Sequence, residues 1–221
     1  NLVVLPCFPM VIEGNYVDYV VVVDKIGIPE KIVSGTTQIT KSPDRLLIAE
    51  LTTSFLEKSG LLRNGATMQA GAGGTSLAIA VYVHQLLKKK GWKLSFGFGG
   101  STKYMVDMLE EGQMGYILDA QAFDLDSVKS IEKNLNHIPY PVFNAYNYHS
   151  KGNLTTMMDI MILGATEIDT GFNGNVVTHS DGLLLHGIGG WQNCLHARNV
   201  IIPVPLFRDR IPVIVDRVTT L

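Results

Sequence analysis

The chain has 221 residues, enough for one large domain or for one domain with part of another, and a formal net charge of −2. No basic surplus exists to neutralise a phosphate backbone, which argues against nucleic acid as a partner, and no apolar run reaches the roughly 18 residues of a membrane span. Apolar residues make up 46% and charged residues only 17%, against about 25% charged in an average domain, so a large buried sheet, a subunit interface or both is expected.

The chain opens at Asn1 in an apolar run, has no initiator methionine, and stops at Leu221 just after a strand-like run. It reads as a piece of a longer polypeptide. Residues 17–23, VDYVVVV, are dominated by valine and predict a strand covered on both faces. The polar stretch KIVSGTTQITKSP marks a domain boundary near residue 41. Residues 1–40 would then end a preceding α/β domain of similar build, and 41–221 would form a second, truncated at its C-terminus. A helix is expected over 43–59, with Ser42 as N-cap, Pro43 as first helical residue, an apolar set at Leu46, Leu47, Ile48, Leu51, Phe55 and Leu56, and Gly60 as the stop.

A strand–helix rhythm follows. Strands are expected at 66–70, 93–98 and 114–118, alternating with helices at 75–90, 101–111 and near 126–134. Lys88-Lys89-Lys90 closes the first of these helices, where cations suit the dipole. Apolar runs recur at 159–165, 175–178, 183–186, 199–205 and 211–217. The fold class is α/β, with a mostly parallel or mixed central sheet and helices on both faces.

Three glycine-rich stretches each follow an apolar strand: Gly71, Gly73 and Gly74; Gly97, Gly99 and Gly100; Gly187, Gly189 and Gly190. The first has the spacing G-x-G-G, not the G-x-G-x-x-G of a dinucleotide fingerprint. In a parallel sheet such loops gather at the carboxyl edge, where ligands bind, and backbone N–H groups at a helix start suit an anion. Side-chain chemistry is sparse. The six histidines include no metal-ligand spacing; His84 reads as structural, and His186 adjoins a glycine loop and is a candidate ligand contact. There is no G-x-S-x-G elbow. Cys7 and Cys194 read as free thiols of a reducing, cytoplasmic compartment. Glu167 and Asp169 alternate on one face of an expected strand, where they can act as acid and base or can brace the turn holding Asn173 and Asn175. Arg198 and Arg208 can pair with a carboxylate or lie at a surface.

The blocks NGATMQAGAGGTSLAIA, LSFGFGGSTKYMVDMLEEGQMGYILDAQAFD and ATEIDTGFNGNVVTHSDGLLLHGIGG, with VDYVVVVDKIGIPEKIVSGTTQIT before them, resemble the citrate lyase α-subunit family. More distantly they resemble the second domain of class I coenzyme A transferases. The resemblance implies a CoA-transferase (NagB/RpiA-like) domain that exchanges acetyl for citryl on a thioester carrier, either CoA or the prosthetic group of acyl carrier protein, with no metal bound by this chain. It implies citrate, the carrier, other lyase subunits and a homo-oligomer as partners. It places an oxyanion loop at Gly187-Ile188-Gly189-Gly190 and the carrier near Gly71 to Gly74. Counting back from Met105-Val106-Asp107 puts Gly99 where class I transferases carry a nucleophilic glutamate. The family usually continues its third loop Gly-Gly-His-Ser-Asp, whereas this chain reads Gly190-Trp191-Gln192-Asn193. That departure keeps two alternatives open: a carrier-binding scaffold with impaired catalysis, or a related transferase acting on another acid. A nucleotide or sugar-phosphate enzyme would need an acidic residue about 20 positions past the first loop, where Lys93-Leu94-Ser95 offers none.

Overall fold

A computed structural model describes residues 14–28, 37–141, 145, 153–185 and 189–219. Helix α1, Pro43–Lys58, begins with proline at its first position, where the missing N–H costs nothing. Three βα units and a further strand follow: β1 (Thr67–Ala70) and α2 (Gly74–Lys90), β2 (Leu94–Ser101) and α3 (Lys103–Glu110), β3 (Met114–Ala122) and α4 (Leu125–Lys133), then β4 (His137–Pro139). β5 (Ile160–Ile162) and β8 (Val200–Ile201) complete a six-stranded sheet in the order β4-β3-β2-β1-β5-β8, parallel throughout. Between them in sequence come β6 (Glu167–Asp169) and β7 (Gly174–Asn175). These join β11 (Ile214–Val215) in a small mixed sheet, and β9 (Phe207–Arg208) pairs with β10 (Ile211–Pro212) as a hairpin.

Both faces of the central sheet are covered, because successive strand residues point to opposite sides. Ile160 and Ile162 pack with Ala49, Ile79, Val83, Leu87 and Met108 under α1, α2 and α3. Met161, between them, joins Phe98, Leu118, Tyr140 and Leu154 on the other face. That second face is closed by short 3₁₀ helices, Leu154–Met157 and Gly189–Leu195. Asp124 ties two helix starts together: its carboxylate accepts from Ser127 N at 2.8 Å in α4 and from Lys103 N at 2.7 Å in α3.

The strand order positions the site. From β1 the chain winds outward through β2, β3 and β4, and later through β5 and β8 in the opposite direction. Right-handed crossovers then put the two sets of connections on opposite faces. The connections that leave the carboxyl ends of β1 and β5 part to opposite faces, leaving the crevice that such a reversal creates.

Three expectations are corrected. Residues 17–23 form no strand, and Val20 and Val22 are 82% and 92% exposed; no described strand pairs with them, and an extended segment with unpaired backbone groups is not a strand. The run 183–186 yields only an isolated bridge between Thr178 and Leu184, with Leu183 to Leu185 exposed; its last residue, His186, lies outside the described residues. The glycines of 97–100 do not form a loop. They continue β2 to Ser101, because β3 pairs with the whole run, through Gly97↔Ile117, Gly99↔Asp119 and Gly100↔Gln121, while β1 flanks only Phe96 and Gly97; this ladder outweighs the weakness of glycine in a strand.

Candidate functional site

A cavity of about 840 Å³ opens over the carboxyl ends of β1, β2 and β5. Its floor is the turn after β1, and Gly71, Gly73 and Gly74 all line it. Gly71 N donates to Ile162 O at 2.8 Å, which fastens this turn to the end of β5. Gly73 is the N-cap of α2 and has no side chain to accept from the first helical N–H groups. Those donors, on Gly74, Thr75 and Ser76, sit at the cavity wall with the positive end of a 17-residue helix behind them.

The other glycines divide. Gly100 and Gly190 border the cavity. Gly97 faces the helical layer, where a Cβ would come within 2.6 Å of Met105 Cε. Gly99 lies between, at a bulge in the β2–β3 ladder with φ of 103°. A Cβ on Gly99 would stand 2.7 Å from Gln69 Cδ, and one on Gly190 would stand 2.5 Å from Gln69 Nε2. Both glycines therefore make room for one buried side chain. Gly189 begins the 3₁₀ helix beside Gly190, while Gly187 lies outside the described residues, as does His186.

Charge in the cavity has one sign. Arg45 of α1 and Arg208 of β9 line it, and no Asp, Glu, His or Lys does among the described residues. Neither arginine enters an ion pair among the described residues. Trp191 forms part of the wall, with its indole N–H donating to Gly164 O at 2.8 Å. Cys194 offers no nucleophile, since burial pushes its thiol up to about 12.

The carboxylates of the second half brace structure. Glu167 is buried, and its Oε2 accepts from Asn175 Nδ2 (3.0 Å), Ser180 N (2.8 Å) and Ser180 Oγ (2.6 Å), while its Oε1 lies 2.9 Å from His179 Nε2. Asp169 accepts from Val218 N, from both Asn173 nitrogens and from Gly171 N. These bonds, Val218 first, hold its carboxyl below the usual aspartate range. None of Glu167, Asn173 and Asn175 reaches the cavity wall. Arg198 pairs with Asp159 at 2.9 Å, at the opposite edge of the sheet. His84 lies 3.2 Å from Gln113 Oε1 and 3.3 Å from Glu111 Oε2 on the helical side.

Sequence reasoning missed Arg45 and Gln69. Arg45 belongs to a helix with no local motif, and only the tertiary fold carries it to the glycine turn. Gln69 gave a signal: it is a long polar residue in the largely buried strand TMQA, just before the first glycine turn. Asp119, buried within β3 and outside the cavity lining, accepts from Ser101 Oγ at 2.7 Å and lies 3.2 Å from His137 Nε2.

Comparison with known proteins settles the family. The model of the citrate lyase alpha subunit (CitF) matches residues 1–221. The chain belongs to that family. It is 39% identical over 221 residues to the citrate lyase alpha chain of Escherichia coli K12, covering 100% of this chain and 43% of the relative. With the Klebsiella pneumoniae chain it shares 38% over 216 residues, 97% of this chain and 42% of the relative. The chain thus spans about two fifths of the curated relatives it matches. A solved Streptococcus mutans structure, described as the alpha subunit of citrate lyase in complex with citrate, superposes with a TM-score of 0.85 at 40% identity, covering 92% of this chain and 41% of that one. The alpha subunit of an Acinetobacter baumannii malonate decarboxylase, at TM-score 0.54 and 14% identity, covers 79% of this chain and 38% of its own, and shares the fold alone.

Proposed function

We propose that this member of the citrate lyase alpha-subunit family is the second-domain part of a citrate–acyl-carrier transferase. Residues 41–221 form that domain and residues 1–40 end the one before it. The cavity takes citrate, as the Streptococcus mutans relative does, together with the acetyl thioester of an acyl carrier protein or CoA. The observation that carries the reading is a cavity walled by glycine turns and two arginines, with no carboxylate among its described lining residues.

A site without a nucleophilic side chain suits a substrate that brings its own. A citrate carboxylate, ionised at neutral pH, attacks the acetyl thioester. The products are a mixed acetyl–citryl anhydride and the carrier thiolate. The thiolate then attacks the citryl carbonyl and acetate leaves. Neither step needs a protein base, since both nucleophiles are already charged. The protein supplies orientation, worth effective molarities of about 10⁵–10⁸ M, and stabilises two tetrahedral oxyanions, at about 2.7–4 kcal/mol for a good donor. Backbone N–H groups of Gly74, Thr75 and Ser76 and those at Gly187 to Gly190 are the assigned donors, Gly71 N being taken by Ile162 O, and Gly100 at the cavity border keeps the carrier path open. Arg45 and Arg208 hold the carboxylates that do not react.

Other lyase subunits and a second copy of the chain complete the working assembly, in the cytoplasm. Among the described residues no helix is long and apolar enough to cross a membrane. The Trp191 indole, fixed across the cavity wall on Gly164 O, favours one variant of this reading, in which a related acid replaces citrate. The test is to incubate the full polypeptide with acetyl-CoA and citrate, and in parallel with other di- and tricarboxylates. Citryl-CoA formation is the expected result. Another acyl-CoA alone would shift the substrate, and carrier binding without any turnover would reduce the protein to a scaffold.

A further inference from the structure

We propose that Gln69 donates a side-chain hydrogen bond to the bound carboxylate, and that Asn193 is the positioning residue that turns it to do so. The proposal rests on the transferase reading above and adds a side-chain donor to its backbone ones. Gln69 ends strand β1, is 3% exposed and lines the cavity. A primary amide has a donor end and an acceptor end, and its neighbours decide which end faces a ligand. Asn193, 0% exposed in the 3₁₀ helix after the third glycine turn, donates from Nδ2 to Gln69 Oε1 at 2.7 Å. In this orientation the acceptor end is fastened, while Asn193 Oδ1 is buried without a partner among the described residues.

The donor end occupies space that two glycines leave open. Gln69 Nε2 lies 2.8 Å from where a Cβ on Gly99 would be, and 2.5 Å from where one on Gly190 would be. Any other residue at either position would push the amide away. No hydrogen bond from Nε2 is made among the described residues. The unpaired Nε2 belongs to a residue that lines the cavity, and a ligand carboxylate there supplies the acceptor it lacks. The same contact ties together the end of β1, the bulge in β2 and the third glycine turn, so that all three surround the ligand.

The test is calorimetric titration of citrate into the full polypeptide and its variants. Gln69→Glu keeps an oxygen for Asn193 but turns a charged acceptor toward the cavity. It should leave the Tm unchanged and weaken citrate by about 10- to 100-fold, the range for a hydrogen bond to a charged group. If it lowers the Tm, Gln69→Met, neutral and similar in length, carries the same test, with a loss of about 10-fold expected. Asn193→Ala should weaken citrate by a smaller factor, roughly 3- to 10-fold, and the double variant should lose no more than Gln69→Glu alone, because Asn193 acts only through Gln69. Wild-type affinity in Gln69→Glu overturns this inference and leaves the transferase reading standing. Additive losses in the double variant overturn the role of Asn193. Wild-type protein that binds neither citrate nor any other di- or tricarboxylate overturns both readings.

Discussion

The two edges of the central sheet each carry a pair of arginines, and they treat them differently. At the amino edge Arg63 and Arg198 close on Asp159, at 3.2 and 2.9 Å, while its other oxygen takes the N–H of Thr67 at 3.1 Å. Both cations and the backbone N–H find a partner within the chain. At the carboxyl edge Arg45 and Arg208 face a cavity that no carboxylate of the described chain enters, and the first turn of α2 points uncapped N–H groups at the same space. One edge is complete in itself. The other is complete only with an anion present, and this difference separates structural charge from binding charge more surely than residue type does.

The comparison can be broken most severely at the carboxyl edge. Gly190→Val would drive a side chain into Gln69 and displace the third turn; a misplacement of about 1 Å can cost 10²-fold, so transfer should fall at least about 100-fold with an unchanged circular dichroism spectrum. Normal turnover in that variant would remove the turn from the site. Next come the arginines. Arg45→Gln and Arg208→Gln should each raise the KM for citrate by about 10-fold and lower kcat much less, because they grip carboxylates that do not react. An unchanged KM in both would empty the cavity of its assigned ligand.

The amino edge should answer in stability. Asp159→Asn removes the acceptor for both arginines and should lower stability by about 1–3 kcal/mol, toward the low end because Arg63 and Arg198 are mostly exposed and screened. Denaturant unfolding measures the loss, and transfer by the folded fraction should be normal. Lost transfer at full stability would place chemistry at the wrong edge.

The smallest effect is a pH dependence. The Asp169 carboxyl is held below its ordinary range, chiefly by Val218 N–H. Its contribution is therefore fully present above the unfolded-state value, about pH 4, and disappears as pH falls through the lower folded-state value. The stability difference between wild type and Asp169→Asn should be constant from pH 5 to 8 and shrink toward pH 2. A difference that persists unchanged in acid would show that the carboxylate form is not what Val218 and Asn173 stabilise.

The βα rhythm was legible because it is local. Pro43 and Gly60 bracketed α1, the apolar runs located β1, β2 and β3, and each helix fell within a few residues of its expected span. Residues 97–100 misled because glycine signals a turn locally, whereas here the ladder to β3 holds them in the sheet. The valines at 17–23 misled in the opposite sense: composition favours a strand, but pairing requires a neighbour. In the site, the importance of glycines was legible as a pattern. Their division of labour was not, because it depends on which face of β2 each occupies and on a glutamine reaching across from β1. Arg45 was invisible for the same reason, since a cation becomes a ligand group only through what the fold sets opposite it.

The most direct measurement of the central claim is a single turnover of the full polypeptide with acetyl-CoA and citrate labelled with ¹⁸O in its carboxylates. If citrate supplies the attacking oxygen, the acetate released in that first turnover carries one ¹⁸O. Unlabelled acetate in the first turnover, with the label appearing only later, would mean that a protein carboxylate attacks first and would contradict the account.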